Sequence, residues 1–330
     1  MGKRASVAVF VPHVGCPHQC SFCDQRTISG STAIPHAEDV KAACDRAISC
    51  GVDPENTEIA FFGGSFTAVP RAYMLELLEA AKPYIDSGFR GIRLSTRPDA
   101  IDCEVLELLK SYGVTSIELG AQSMSDEVLS ANERGHTAAD VERAAKLVKE
   151  CSFTLGLQMM VGLYKSTPEL DTYTAERLIA LHPDEARIYP TVILKNTRLG
   201  ELYAKGEYIP YTLNSAISLC SELLDMFENA GVSVIKLGLH SSTDVENDML
   251  GGLYHPAFRE LCEAERFRKR MEAFVGDVKS ATFTVRPADL SKALGQKRSN
   301  IEYFRSKGTD VTIKPDASQS ELIKMQTEEI

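Results

Sequence analysis

Cys16-Pro17-His18-Gln19-Cys20-Ser21-Phe22-Cys23 places three thiols four and three residues apart. The stretch follows the apolar, β-branched run Val7–Val11, so it reads as a loop leaving a strand. Three thiolates can hold three corners of a cubane iron–sulfur cluster, for which four cysteines are the usual complement. The fourth iron is then free to take a small molecule. Zinc competes for the same thiols, with His13 or His18 as a further ligand. A zinc site usually shows a second ligand pair, and no second CxxC or HxxxH follows here. Packing as small hydrophobes fits poorly beside Pro17, His18 and Gln19, which belong to an exposed loop.

Working outward, apolar runs alternate with amphipathic segments. Strands are expected at Val7–Val11, Glu58–Phe62, Gly91–Ser95, Ser116–Leu119, Thr154–Val161 and Ala186–Tyr189. Helices are expected at Ala37–Ser49, Arg71–Ile85, Cys103–Tyr112, Ala138–Cys151 and Leu170–Ala180. Asp102 and Gly113 stand where a cap and a stop belong. Six strand–helix alternations predict a parallel sheet covered by helices, and periodicity does not separate an open sheet from a barrel. In a barrel the chemistry sits at the carboxyl ends of the strands.

The cysteine loop resembles that of the radical S-adenosylmethionine (SAM) enzymes. That resemblance implies an α/β fold, a partial (β/α)6 barrel of the TIM type. It also implies a 4Fe–4S cluster held by Cys16, Cys20 and Cys23, whose open iron takes the amino and carboxylate groups of SAM. One electron then cleaves the sulfonium to a 5′-deoxyadenosyl radical, which abstracts hydrogen from a substrate. Flavodoxin or ferredoxin is the expected electron donor.

The loops after the strands supply the remaining candidates. Gly63-Gly64-Ser65 follows the second strand, where two glycines let backbone approach a ligand. The resemblance makes it the turn that touches the SAM amino group, with Ser65 where the family carries glutamate. Thr96 lies in Ser95-Thr96-Arg97-Pro98-Asp99, kept extended by Pro98. Gln122 ends the fourth run and can bond ribose hydroxyls. Phe22, and the strand leading to Val161 and Gly162, fit the positions that pack on adenine. His136 is read as a helix-capping or surface histidine, or as functional. Tyr189, Lys195 and His255 are weaker candidates.

Ser95–Asp99, Glu118–Ser123, Arg134–Thr137, Arg187–Thr191 and Leu202–Tyr208 resemble the radical SAM domain of the Elongator catalytic subunit. This implies ancestry shared with enzymes that modify the wobble uridine of tRNA. About 70 residues follow the resemblance, too few for an acetyltransferase domain, so the acetyl-CoA-dependent reaction is not expected. RNA, tRNA foremost, is the expected substrate. Oxygen-independent coproporphyrinogen oxidases share the cysteine spacing and the glycine pair, so a small carboxylated metabolite is the alternative. A non-catalytic RNA-binding metalloprotein is the third.

The chain has 330 residues, 44% of them apolar, enough for one large domain (1–260) and a small appendage (261–330). No run of eighteen apolar residues offers a membrane span. Nine cysteines without a leading apolar segment predict a reducing, cytoplasmic setting. Cys44, Cys50, Cys103, Cys151, Cys220 and Cys262 read as packing residues. The net charge is −10, yet residues 266–314 carry 12 Lys and Arg against 5 Asp and Glu. Short strands at Thr282–Val285 and Val311–Ile313 make the appendage α+β. Between them Asp289–Ile301 resembles a KH fragment, whose GxxG loop clamps RNA phosphates. Here Arg298 replaces the second glycine. The competing reading is a lid over the barrel.

Overall fold

The computed structural model describes residues 5–11, 16–17, 19–24, 27, 33–240, 243–276 and 278–326. His13 and His18, weighed as zinc ligands, lie outside them.

Six strands run where apolar sequence places them: β1 (Ala5–Val11), β2 (Thr57–Gly63), β3 (Gly91–Thr96), β4 (Val114–Gln122), β5 (Thr154–Val161) and β6 (Glu185–Pro190). They pair in sequence order, all parallel. The next strand, β7 (Val192–Leu194), leaves the sheet, and β8 (Ser233–Leu237) pairs parallel with β6 as a seventh member. The sheet of the partial barrel thus has one strand more than the apolar runs mark. The segment Ser233-Val-Ile-Lys-Leu hides because Ile235 is exposed and Lys236 interrupts its apolar character. The seven parallel strands curl into a TIM-like half-barrel with helices around it.

Helices cover the outer face. Val7, Val9 and Val11 of β1 and Ile59 and Phe61 of β2 pack outward with Val40 and Cys44 of the helix Ala37–Ser49 in one large core. Asp102 caps the helix Cys103–Ser111 by accepting from Val105 N at 2.8 Å. The segment around Gly251 and Gly252 forms β9 (Met249–Gly252), antiparallel to β7. There a Cβ on Gly252 would lie 2.7 Å from the Thr191 carbonyl, so only glycine fits.

A second, smaller core gathers Phe267, Met271, Phe283, Val285, Ile301, Phe304 and Val311. It surrounds a three-stranded sheet with β10 (Ser280–Val285) central, β11 (Asp310–Pro315) parallel to it and β12 (Ile323–Gln326) antiparallel. The helix Phe258–Val275 serves both interiors: Phe258 and Cys262 sit in the large core, Phe267 and Met271 in the small one. Among the scattered cysteines, Cys44, Cys220 and Cys262 are buried and Cys151 packs partly buried on the large core, but Cys50 and Cys103 are exposed.

Candidate functional site

The cysteine loop is tied down from outside itself. Ser21 N donates to the Asn132 carbonyl at 3.1 Å, and its hydroxyl donates to Asn132 Oδ1 at 2.8 Å. Leu199 N donates to the Ser21 carbonyl at 2.7 Å. Asn132, fully buried, spends its amide on the carbonyls of Val128 and Tyr164. Inside the loop Cys23 N donates to the Cys20 carbonyl.

This anchoring brings the three thiols to one cavity of about 120 Å³ at the carboxyl ends of β2 to β5. Cys16, Cys20, Cys23 and Phe22 form one wall, and Gly63, Gly64, Thr96, Gln122 and Arg134 line the rest. Burial raises the Cys23 thiol to about 12, with the neighbouring Cys20 and Cys16 adding to the rise. Cys16 is raised for the same reasons, burial first. Thiols this crowded give up their protons to a metal and not to water. Among the described residues no three His, Cys, Asp or Glu converge tightly enough for a single metal ion. A cubane places each thiolate on a separate iron, so its corners need no common point.

Two observations fit a SAM-bearing cluster. The first is the Gly63 turn. Gly64 N donates to the Val11 carbonyl at 2.9 Å, and Gly63 has φ +109°. A Cβ on Gly63 would stand 2.6 Å from that carbonyl, so backbone alone can border the cavity here. The second is a set of unpartnered buried atoms: Gln122 Oε1, Arg134 Nε and His136 Nδ1. Gln122 ends β4 and lines the cavity; Arg134, also in the lining, and His136, outside it, reach back to the Gly120 and Ala121 carbonyls of that strand. Buried polar atoms lacking partners mark where a polar ligand is missing. Gln122 is also held at φ +68°, a conformation non-glycine residues rarely adopt.

The remaining predicted residues are placed differently. Ser65 is buried and bonds Thr96 Oγ1 at 2.8 Å and Arg97 N at 3.1 Å; it orders the turn and does not line the cavity. Val161 and Gly162 also lie outside the lining. The Val161 carbonyl accepts from Thr191 N and Oγ1. Gly162 N donates to Asp171 at 2.9 Å and its carbonyl accepts from Tyr208 at 2.5 Å. Asp171 also accepts from Tyr211 at 3.1 Å, and burial lifts its carboxyl to about 6.

His136 is neither a cap nor a surface residue: Thr137 caps the helix Ala138–Glu150, and His136 is buried with Nε2 on the Ala121 carbonyl. Burial, then the charge of Arg134, lowers its pKa to about 4. Lys195 is half exposed and holds Asn247 and Asp248. His255 Nδ1 accepts from Ala257 N in a local turn.

Sequence reading passed over the inner face of the sheet. Arg93 bonds Glu58, Glu118 and Glu185 at 2.9, 3.0 and 2.6 Å, all four side chains buried. Arg187 forks onto Glu118 at 2.6 and 2.8 Å. Burial opposes ionisation of Glu118, but Arg187 and Arg93 outweigh it and hold the carboxyl below its usual range. Gln158 links this network to the cavity: it lines the cavity and donates to Glu118 at 2.8 Å and to Ser95 at 3.2 Å. Gly156 leaves the room, since a Cβ there would meet Glu118 Cγ at 2.8 Å. These charges were legible as polar residues at alternate positions of the strands. A larger, open depression of about 500 Å³ between the helices Ala37–Ser49 and Arg71–Asp86 holds none of these groups.

Residues 10–175 match the radical SAM superfamily, and residues 183–270 match the radical SAM C-terminal domain. The chain belongs to the radical SAM superfamily, a class of enzymes that uses a 4Fe–4S cluster and SAM. Within that class its likeness is to Elongator catalytic subunits. It is 31% identical over 225 residues to an uncharacterized protein of Methanocaldococcus jannaschii, covering 64% of this chain and 69% of that one. It is 25% identical to the tRNA uridine(34) acetyltransferase of Dehalococcoides mccartyi, over 66% of this chain and 55% of the other. The match to Elongator complex protein 3 of Schizosaccharomyces pombe is 28%, over 57% of this chain and 38% of the other. The chain thus spans about half the length of the acetyltransferase it matches or less of the Elongator protein. The archaeal Methanocaldococcus infernus Elp3 superposes with a TM-score of 0.64 at 21% identity, over 84% of this chain and 65% of that one. Among the described residues no helix is long and apolar enough to cross a membrane.

Proposed function

We propose that this enzyme acts on a base of RNA, tRNA foremost. The observation that carries the reading is the state of the two lumen arginines. A substrate bearing carboxylates, such as a porphyrinogen, wants free guanidinium groups inside the barrel. Arg93 is spent on three carboxylates and Arg187 is forked onto one. The interior therefore favours an uncharged substrate that brings its anionic charge elsewhere, as a nucleotide chain does. The names of the tRNA-acting relatives point the same way.

On this reading Cys16, Cys20 and Cys23 hold the cluster. Phe22, Gly63, Gly64, Thr96 and Gln122 cradle SAM, while Ser65, Val161 and Gly162 order the backbone around it. When bound, the reduced cluster and SAM supply a 5′-deoxyadenosyl radical that takes hydrogen from the substrate. The chain's part is to orient the two reactants and keep water out. Gln158 and Ser95 form the boundary between the SAM cavity and the lumen.

The appendage supplies the grip on the phosphates. Its loop runs Gly295-Gln296-Lys297-Arg298, and Gly295, Lys297 and Arg298 all have positive φ, at 74°, 53° and 63°. The loop joins the short helix Leu290–Leu294 to Ser299–Ser306 and presents two exposed basic side chains. The electron comes from a small redox protein such as flavodoxin or ferredoxin.

The test is anaerobic reconstitution with iron and sulfide, followed by dithionite and SAM. 5′-Deoxyadenosine should form, and its yield should rise with bulk tRNA but not with coproporphyrinogen III. The reverse response to the two substrates sinks the RNA reading and leaves the radical chemistry standing.

A further inference from the structure

We propose that the inner face of the half-barrel carries a stacking site for a planar, uncharged heteroaromatic ring, built from Phe10 and Phe62 and floored by Arg187. The inference rests on the RNA reading above and names where the base goes.

Phe10 is 39% exposed, although its neighbours Val9 and Val11 are buried at 5% and 2% on the outer face. Its side chain therefore lies on the inner face of the edge strand. Phe10 and Phe62 are register partners on β1 and β2, with ring centroids 6.2 Å apart and planes tilted by 44°. Arg187 reaches from β6 to place its guanidinium 5.1 Å from the Phe62 centroid. Phe62 therefore faces the lumen, with three strands between it and the origin of that cation.

Arg187 cannot swing freely, because both its Nε and Nη2 are committed to Glu118. The platform is thus built in advance, which lowers the cost of ordering it on binding. Phe10 stays exposed beside Phe62, in a lumen whose other inward side chains are the Arg93 and Arg187 ion pairs and Lys236, the register partner of Arg187. Charge complementarity selects the occupant. Arg93, Arg187 and Lys236 are balanced by Glu58, Glu118 and Glu185, so an anionic group meets no net positive charge there, and an aliphatic group would waste the ring faces. A nucleobase offers a π-face without charge, and stacking on aromatic side chains tolerates every base. Position agrees as well: Glu118, which pins Arg187, bonds Gln158, and Gln158 lines the SAM cavity.

The experiment uses the reconstituted full chain and a short single-stranded RNA with 2-aminopurine at its centre. Binding is followed by anisotropy of an end label, and stacking by quenching of 2-aminopurine emission. The unaltered protein should bind and quench. Phe10→Leu and Phe62→Leu keep apolar bulk and remove the ring; each should weaken binding about tenfold and abolish the quenching. Phe10→Tyr should retain both. Binding without quenching, or leucine variants that behave like the original, overturns the stacking site and leaves the RNA reading intact. No binding by the unaltered protein overturns both.

Discussion

Arg134 donates one guanidinium hydrogen bond to Cys20 Sγ at 3.1 Å and another to the Gly120 carbonyl at 2.7 Å. The end of β4 and the cysteine loop are thereby joined by one charged side chain. Hydrogen bonds to cluster sulfurs are among the levers on cluster potential. With Cys20 as a cluster ligand, Arg134→Met removes a donor and a positive charge from beside the thiolate. Reduction adds negative charge, so the midpoint should fall, by tens of millivolts in order of magnitude. Potentiometric titration read by electron paramagnetic resonance measures this, and an unmoved midpoint refutes it.

Gly63→Ala should be severe. The new Cβ meets backbone, the Val11 carbonyl at 2.6 Å, and φ is +109°. Strain and displacement together should cost about 2–4 kcal/mol. Gly51→Ala is the control: φ is +76°, yet nothing lies within 4 Å of its Cβ. It should cost about 1 kcal/mol. Urea midpoints of the two variants compare them, and equal losses would refute the account.

Glu118→Gln should destabilise by about 3–5 kcal/mol, the range for leaving a buried charge without its partner. The neutral amide leaves the largely buried Arg187 without a compensating charge, while Arg93 keeps Glu58 and Glu185. Chemical denaturation at neutral pH reads the loss. A change under 1 kcal/mol would mean that the lumen is wetter than the geometry indicates.

Two buried groups pull acid stability in opposite directions. His136 is lowered from 6.5 to about 4, so between those values the unfolded chain binds the extra proton. Its contribution is present above pH 6.5 and is lost as pH falls through 4. Asp171 is raised from 3.8 to about 6, so there the folded chain holds the proton and stability falls as pH rises across the window. Each amounts to at most about 3 kcal/mol. His136→Gln should flatten the loss of stability between pH 6.5 and 4, and Asp171→Asn should steepen it. Urea midpoints across that range decide; matching slopes in both variants refute the assignment.

Lys297→Glu with Arg298→Glu should lower tRNA affinity and reduce the salt slope by about two, the number of cations removed. Filter binding at several salt concentrations gives the slope. An unchanged slope would place the phosphate contacts elsewhere.

What could be read in advance follows the physics of each segment. Val7–Val11 and Thr154–Val161 announce themselves because they hold the apolar residues that the covering helices require. The cysteine loop is legible because few chemistries need three thiols at that spacing. Gln158 was passed over because it sits within a run read as apolar, its one long polar side chain turned to the lumen. The members of the Arg93 network show in the sequence only as polar residues at alternate strand positions; that they meet does not show, since they come from four strands and converge only when the sheet curls. His136 misled because burial cannot be inferred from a motif of polar neighbours.

The helix Phe258–Val275 has its first turns in one interior and its last in the other. Such a shared beam gives the two bodies a common fate in denaturation. A lesion far out in the appendage, Phe304→Ala for instance, should be felt as an earlier collapse of the barrel.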